Sequence, residues 1–147
     1  MKKHDILTQT ESALSGLPQT AEPVVGGRAY KLRLLSRAEE TRARGVITSE
    51  NLLTAFADSN VPQLGYAVVS IDGVPQDQLF EPDTDEEKSD YAADPVHWRA
   101  LQTMQWLSQR PTIVVEQLWL AYLQLKDKAA KSMKDMEDFS KRTPSGD

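Results

Sequence analysis

The stretch 111–139, PTIVVEQLWLAYLQLKDKAAKSMKDMEDF, decides how this chain is read, because it changes character half-way along a single helical pattern. From Ile113 through Leu118, Trp119, Leu120, Tyr122 and Leu123 to Leu125 almost every face is apolar, which demands deep burial against other elements. From Lys126 onward the apolar positions thin to Ala129, Met133, Met136 and Phe139, three or four apart, among Lys, Asp, Glu and Ser. A helix that starts as core and ends as a one-stripe rod either leaves its domain to lie on a partner or folds back on the chain's own N-terminal segment.

Working outward, Arg110-Pro111 separates this helix from another that opens at Asp94-Pro95, an aspartate N-cap followed by proline at the first helical position. That helix carries Trp98, Leu101, Met104 and Leu107. Trp98 and Trp119 read as core anchors, whereas Trp106, among Gln105, Ser108 and Gln109, reads as a residue that faces a partner. Upstream, Arg28-Ala-Tyr-Lys-Leu-Arg-Leu-Leu35 alternates as a half-buried strand, and Ser36-Arg-Ala-Glu39 is a capping box that starts a helix weakening at Gly45. A second start at Thr48-Ser49-Glu50 predicts an amphipathic segment ending before Asn60 and Pro62. Leu64 to Ile71 is the most strand-like run in the chain, Asp72-Gly73 is its hairpin turn, and Val74-Pro75 permits only a short edge strand. Gln76 to Asp90 reads as a long acidic loop anchored by Leu79 and Phe80.

The expected fold is α+β, a single domain over 28–139. A small antiparallel β-sheet, with strands near 29–35 and 65–71, packs against helices near 37–58, 95–109 and a long C-terminal helix at 112–139. Residues 1–27 are expected to be a flexible arm, with a short helix near Asp5 to Leu14, and 140–147 a disordered tail. At 147 residues with 39% hydrophobic content there is enough for one modest core.

The chain has no cysteine, so disulfides and thiolate metal sites are excluded, and a zinc site would need His4, His97 and carboxylates. No apolar run is long enough to span a membrane, and Met1-Lys-Lys-His-Asp lacks a following apolar segment, so a soluble cytosolic protein is expected. The net charge of −5 is unevenly spread, with a basic block from Arg28 to Arg44 and an acidic block from Glu81 to Asp94. These read as solvated faces that need not meet. Nucleic-acid binding fits poorly, since the basic block has only Tyr30 beside it and the overall sign is wrong.

Catalysis has little to stand on. His4 and His97 are the only side chains that titrate near neutrality unshifted, and no Ser sits in a nucleophile motif. The segment Asp83 to Asp94 fails as a calcium loop, with Lys88 where glycine is needed and Asp94 in place of the bidentate glutamate. A small cytosolic regulator binding calcium or a metabolite through this acidic loop is the alternative function. Gly26-Gly27 is a turn before a strand, not a phosphate loop. No cofactor or metal site is expected.

The layout resembles that of small tail-assembly and baseplate-assembly proteins of tailed bacteriophages. The residues that carry the resemblance are Tyr30 to Glu40, the Ala67 to Gly73 strand and turn, and the closing Trp98, Leu101, Leu118, Tyr122 and Leu123 helices with their charged tail. It implies a non-enzymatic component of phage tail morphogenesis, either a tail assembly chaperone or a structural tail or baseplate subunit. Its place would be the host cytoplasm during assembly or the virion tail. The implied partners are tape-measure, tube or baseplate subunits, with a homo-oligomer as a further option. The expected partner-binding residues are Trp106, Ala129, Met133, Met136 and Phe139, with Leu118 and Tyr122 fixing the helix base.

Overall fold

The structure, a computed structural model, describes residues 19–47 and 60–142, with the backbone alone for residue 47 and residues 139–142. The expected N-terminal helix near Asp5 to Leu14 and the amphipathic segment after Thr48 lie outside the described residues. In chain order come β1 (Thr20–Ala21), β2 (Val24–Val25), β3 (Arg28–Arg33), α1 (Arg37–Ile47), α2 (Asn60–Ala67), β4 (Val68–Ile71), β5 (Val74–Pro75), α3 (Gln76–Leu79), α4 (Asp85–Ala93), α5 (Pro95–Ser108) and α6 (Thr112–Arg142). This is the expected α+β class, a small antiparallel sheet against helices with a long last helix.

The sheet is built around β3. Tyr30 and Leu32 alternate inward and are fully buried, as the period-two pattern requires. β4 pairs with β3, β5 with β4, and the Asp72-Gly73 turn that joins them has positive φ at both residues (52° and 79°). That is the geometry a two-residue hairpin needs, and Asp72 also ties the turn to β3 by accepting from the Ala29 amide (2.8 Å) and from Arg28 (2.9 Å).

The other edge corrects the expected flexible arm at 1–27. β1 and β2 both pair antiparallel with β3, and the Gly26-Gly27 turn, with φ of 59° and 80°, returns the chain directly into it. Further bonds run from Tyr30 N–H to Pro23 C=O and from Leu34 N–H to Gln19 C=O, each 2.9 Å. The folded body therefore begins by residue 19. Two-residue strands leave almost no pattern in a sequence, because they are too short to show an alternation and are held by the ladder to β3.

The expected strand at 65–71 is also corrected. Asn60 to Ala67 is a helix, and only Val68 to Ile71 is strand. Pro62 lies in the first helical turn, where its missing N–H costs nothing, and Val61, Leu64, Tyr66 and Ala67 are all buried. A short run apolar on every side has the same appearance as a buried strand or a buried helix, so periodicity could not separate them. The acidic loop is a third correction, since Asp85 to Ala93 forms α4 under a Thr84/Glu87 capping box and Gln76 to Leu79 forms a helical turn. Gln76 of that turn donates to Gly65 C=O (3.0 Å) and to the buried Thr103 hydroxyl (2.7 Å).

Two starts are as the sequence predicts. Asp94 caps α5 by accepting from the His97 amide, and at α1 the Ser36 hydroxyl accepts from the Glu39 amide (3.2 Å) while Glu39 accepts from the Ser36 amide (2.9 Å). Glu39 also takes a two-pronged bond from Arg33, which is the main reason its carboxyl is held down at about 2. Because the folded value lies below the usual 4.5, this stabilisation is present above pH 4.5 and disappears as pH falls toward 2. After discounting for its partial exposure, Glu39→Gln is expected to cost about 1–2 kcal/mol at pH 7 and only about a quarter of that at pH 2.5, as read by urea denaturation at the two pH values.

Candidate functional site

In α6 the residues Val115, Leu118, Tyr122 and Leu125 are buried, and they recur at alternating spacings of three and four. Val115, Leu118 and Tyr122 pack with Tyr30, Leu32, Leu64, Met104 and Leu107 in the main core. Tyr122 also accepts a long hydrogen bond from the Leu35 amide (3.4 Å), and Lys126 reaches Glu40 of α1 (3.1 Å). Leu118 and Tyr122 thus hold the base of the helix, but the expected deep burial on almost every face is corrected, since Ile113, Leu120 and Leu123 are exposed and one face of α6 alone is core.

The same spacing continues past the body. Ala129 and Ser132 are half-buried, and Met133 and Met136 are each 40% exposed. These positions lie on the face that Val115, Leu118, Tyr122 and Leu125 present to the core, so the stripe is the direct extension of the packed seam. Leu125 is the last buried side chain of α6 among the described residues. Residues 126–142 add about 25 Å of helix at 1.5 Å per residue. Phe139 continues the backbone of that helix, which runs to Arg142, so the expected disordered tail at 140–147 is corrected for its first three residues. Beside the point of departure runs a groove of about 540 Å³, lined by Ala21, Pro23, Ala121, Leu125, Lys128 and Lys131.

Trp106 does not join this stripe. It lies near the start of α6, about 30 Å along the helix axis from Met133. Its half-buried ring is engaged within the chain, with the Arg110 guanidinium 4.4 Å and the Arg28 guanidinium 5.8 Å from its centroid and Tyr30 tilted at 6.2 Å. Trp98, by contrast, is a core anchor as read from the sequence, set edge-on to Tyr91 at 5.5 Å.

A second cluster joins residues of three helices, of which sequence spacing alone brings together only Asp94 and His97. Arg42 of α1 pairs with Asp94, Asp94 caps α5, and His97 Nδ1 is hydrogen-bonded to the Tyr66 hydroxyl of α2. The basic and acidic blocks do meet here, through that one Arg42–Asp94 pair. The cluster borders a groove of about 480 Å³ with Trp98, Leu101 and Gln105. Burial, reinforced by the Arg42 charge, holds the His97 pKa below its usual 6.5, so the ring is neutral at pH 7. Arg42 keeps the Asp94 carboxyl below its ordinary range. Among the described residues the cluster ties three helices together through Arg42, Tyr66 and the Asp94/His97 start of α5. A lowered histidine value means stability present above pH 6.5 and lost as pH falls through the folded value. The melting temperature is expected to fall between pH 7.5 and 5.5, and to fall less in His97→Gln.

The acidic side chains of α4 do not converge. Among the described residues no group of three or more His, Asp or Glu is placed to hold a metal ion. No helix of the described residues is long and apolar enough to cross a membrane. Compared with known proteins, the chain matches no protein-family model, no curated protein and no solved structure.

Proposed function

We propose that this is a non-enzymatic protein-binding component of phage tail morphogenesis, a tail assembly chaperone or a structural tail or baseplate subunit. The observation that carries the protein-binding reading is the seam of α6, which is core up to Leu125 and emerges uncovered, among the described residues, at Met133 and Met136. An apolar seam on a charged helical rod gives a partner helix or groove a surface to bury, with the body of the domain holding the rod in place. The phage assignment rests on the resemblance in layout of Tyr30 to Glu40, Ala67 to Gly73 and the two closing helices. In this reading the protein acts in the host cytoplasm during assembly or within the virion tail, and its partners are tape-measure, tube or baseplate subunits.

The test is affinity purification of the tagged chain from infected or induced cells, with mass-spectrometric identification of what accompanies it. Tail tube, tape-measure or baseplate subunits are expected. Recovery of the chain alone would overturn the reading.

A further inference from the structure

The path of the chain into the body points along α6. A Cβ on Gly26 would lie 3.4 Å from Val114 Cγ2, near the start of that helix, whereas Thr20 and Ala21 line the groove of about 540 Å³ with Leu125, Lys128 and Lys131. Traced back from Gly26 to Thr20, the chain therefore runs beside α6 toward its C-terminal end. Residues 1–18 enter the body here, at the level where the core stops covering the seam. From Gln19 back to Leu14 the chain can span about 17 Å, and Ala129, Ser132, Met133 and Met136 all lie within about 17 Å of Leu125 along the helix axis.

The sequence of this segment matches what the seam leaves open. Ile6, Leu7 and Leu14 fall on one side of the short helix expected near Asp5 to Leu14, and Glu11 is the one charge between residues 6 and 18. On α6 the charges over 128–134 are all basic (Lys128, Lys131 and Lys134), and those over 135–138 are all acidic (Asp135, Glu137 and Asp138). The path of the chain sets the segment antiparallel to α6, with Leu14 beside Ala129 and Leu7 beside Met136. Glu11 then comes to the lysines, and Lys2 and Lys3 come to the acidic end, while Asp5 alone gains no opposite charge. A parallel placement would set lysine against lysine. The contact ends at Ala129, short of Leu125, so it uses no surface that the core already fills.

We infer that residues 5–14 lie antiparallel on the exposed seam of α6 and cover Met133 and Met136 until an assembly partner displaces them. The inference rests on the reading of the seam as a docking surface and adds what occupies it when the partner is absent. A tethered cover shields the methionines from non-specific association, and its high effective concentration restricts capture to partners that hold the seam more tightly than the segment does.

Because the chain has no cysteine, an introduced pair reports its own contact alone. The test uses the full chain carrying Leu7→Cys with Met136→Cys, under mild oxidation at about 5 μM, where closure within one chain outruns pairing between copies. Leu7→Cys with Leu120→Cys is the comparison, since Leu120 is exposed on the opposite face of α6 and within the same reach of chain. The Met136 pair is expected to close at least about tenfold faster than the Leu120 pair, giving a monomeric ring by mass spectrometry and non-reducing electrophoresis. Adding Leu14→Asp removes an apolar anchor outside the folded body and is expected to slow that closure about tenfold, with the melting temperature unchanged. Equal closure of the two pairs, closure indifferent to Leu14→Asp, or disulfide-linked dimers in place of the ring would overturn the inference. A chain that fails to close yet captures a tail protein through α6 removes the cover and leaves the proposed function standing. A ring that closes as expected, in a protein that captures nothing from infected cells, does the reverse.

Discussion

Met133→Asp combined with Met136→Asp is expected to abolish capture of the assembly partner while leaving the domain folded. Each methionine buried at an interface contributes about 1.5–3 kcal/mol. Each aspartate put in its place would have to be buried without a partner, which costs at least as much again. The two substitutions together therefore remove more than about 4 kcal/mol, a thousandfold or greater loss of affinity. The fold is spared because both side chains lie beyond Leu125, where α6 has left the core, and each is already 40% exposed. Aspartate in place of methionine lowers helix propensity by only about 0.5 kcal/mol per site. The measurement is capture of the partner by the double variant beside the wild type, with the melting temperature as the control for folding. Undiminished capture by a double variant that melts like the wild type would remove the seam from the binding mechanism.

The second large effect is on stability, at Gly65. Helix α2 crosses α5 so closely that a Cβ at this position would lie 2.5 Å from Met104 Cγ and 2.8 Å from the Ala100 carbonyl oxygen. The oxygen is backbone and cannot swing away, so the helices must separate and the layer containing Leu64, Met104 and Leu107 must loosen with them. Overpacking of this kind costs about 1–3 kcal/mol for a single methyl, even after the gain in helix propensity that alanine brings. Gly65→Ala is expected to lower stability by that amount, and Gly65→Leu to leave no cooperative unfolding transition. Gly45 of α1 is the comparison, since nothing among the described residues lies within 4 Å of a Cβ placed there. Gly45→Ala is expected to stabilise the protein by up to about 1 kcal/mol. Urea denaturation of the three variants reads the contrast directly, and equal effects at the two glycines would refute the close crossing.

The two glycines look alike in the sequence, which marks where sequence reasoning ends for this chain. Signals that act over a few residues were legible. The Ser36/Glu39 box, the Asp94-Pro95 cap and the Asp72-Gly73 hairpin are each settled by hydrogen bonds or backbone angles within one turn of chain, and each stands in the structure as read. The stripe Ala129, Met133 and Met136 was legible for the same reason, because helical spacing is a local property. Trp106 was read as partner-facing from its polar neighbours alone, and the guanidiniums that cover it come from Arg28 and Arg110, of which Arg28 is distant in sequence.

By itself, then, the sequence determined the α+β class, the caps that start α1 and α5, the β4–β5 turn and the apolar line along α6. Tertiary structure alone decided that Asn60 to Ala67 is helix, that β1 and β2 close the sheet edge, that Tyr66, His97, Asp94 and Arg42 meet, and that the cover over α6 stops at Leu125. The physical reason is the same in each case. A buried apolar run takes whichever conformation its surroundings can satisfy, and a seam becomes a binding surface only at the point where the chain's own core no longer reaches it.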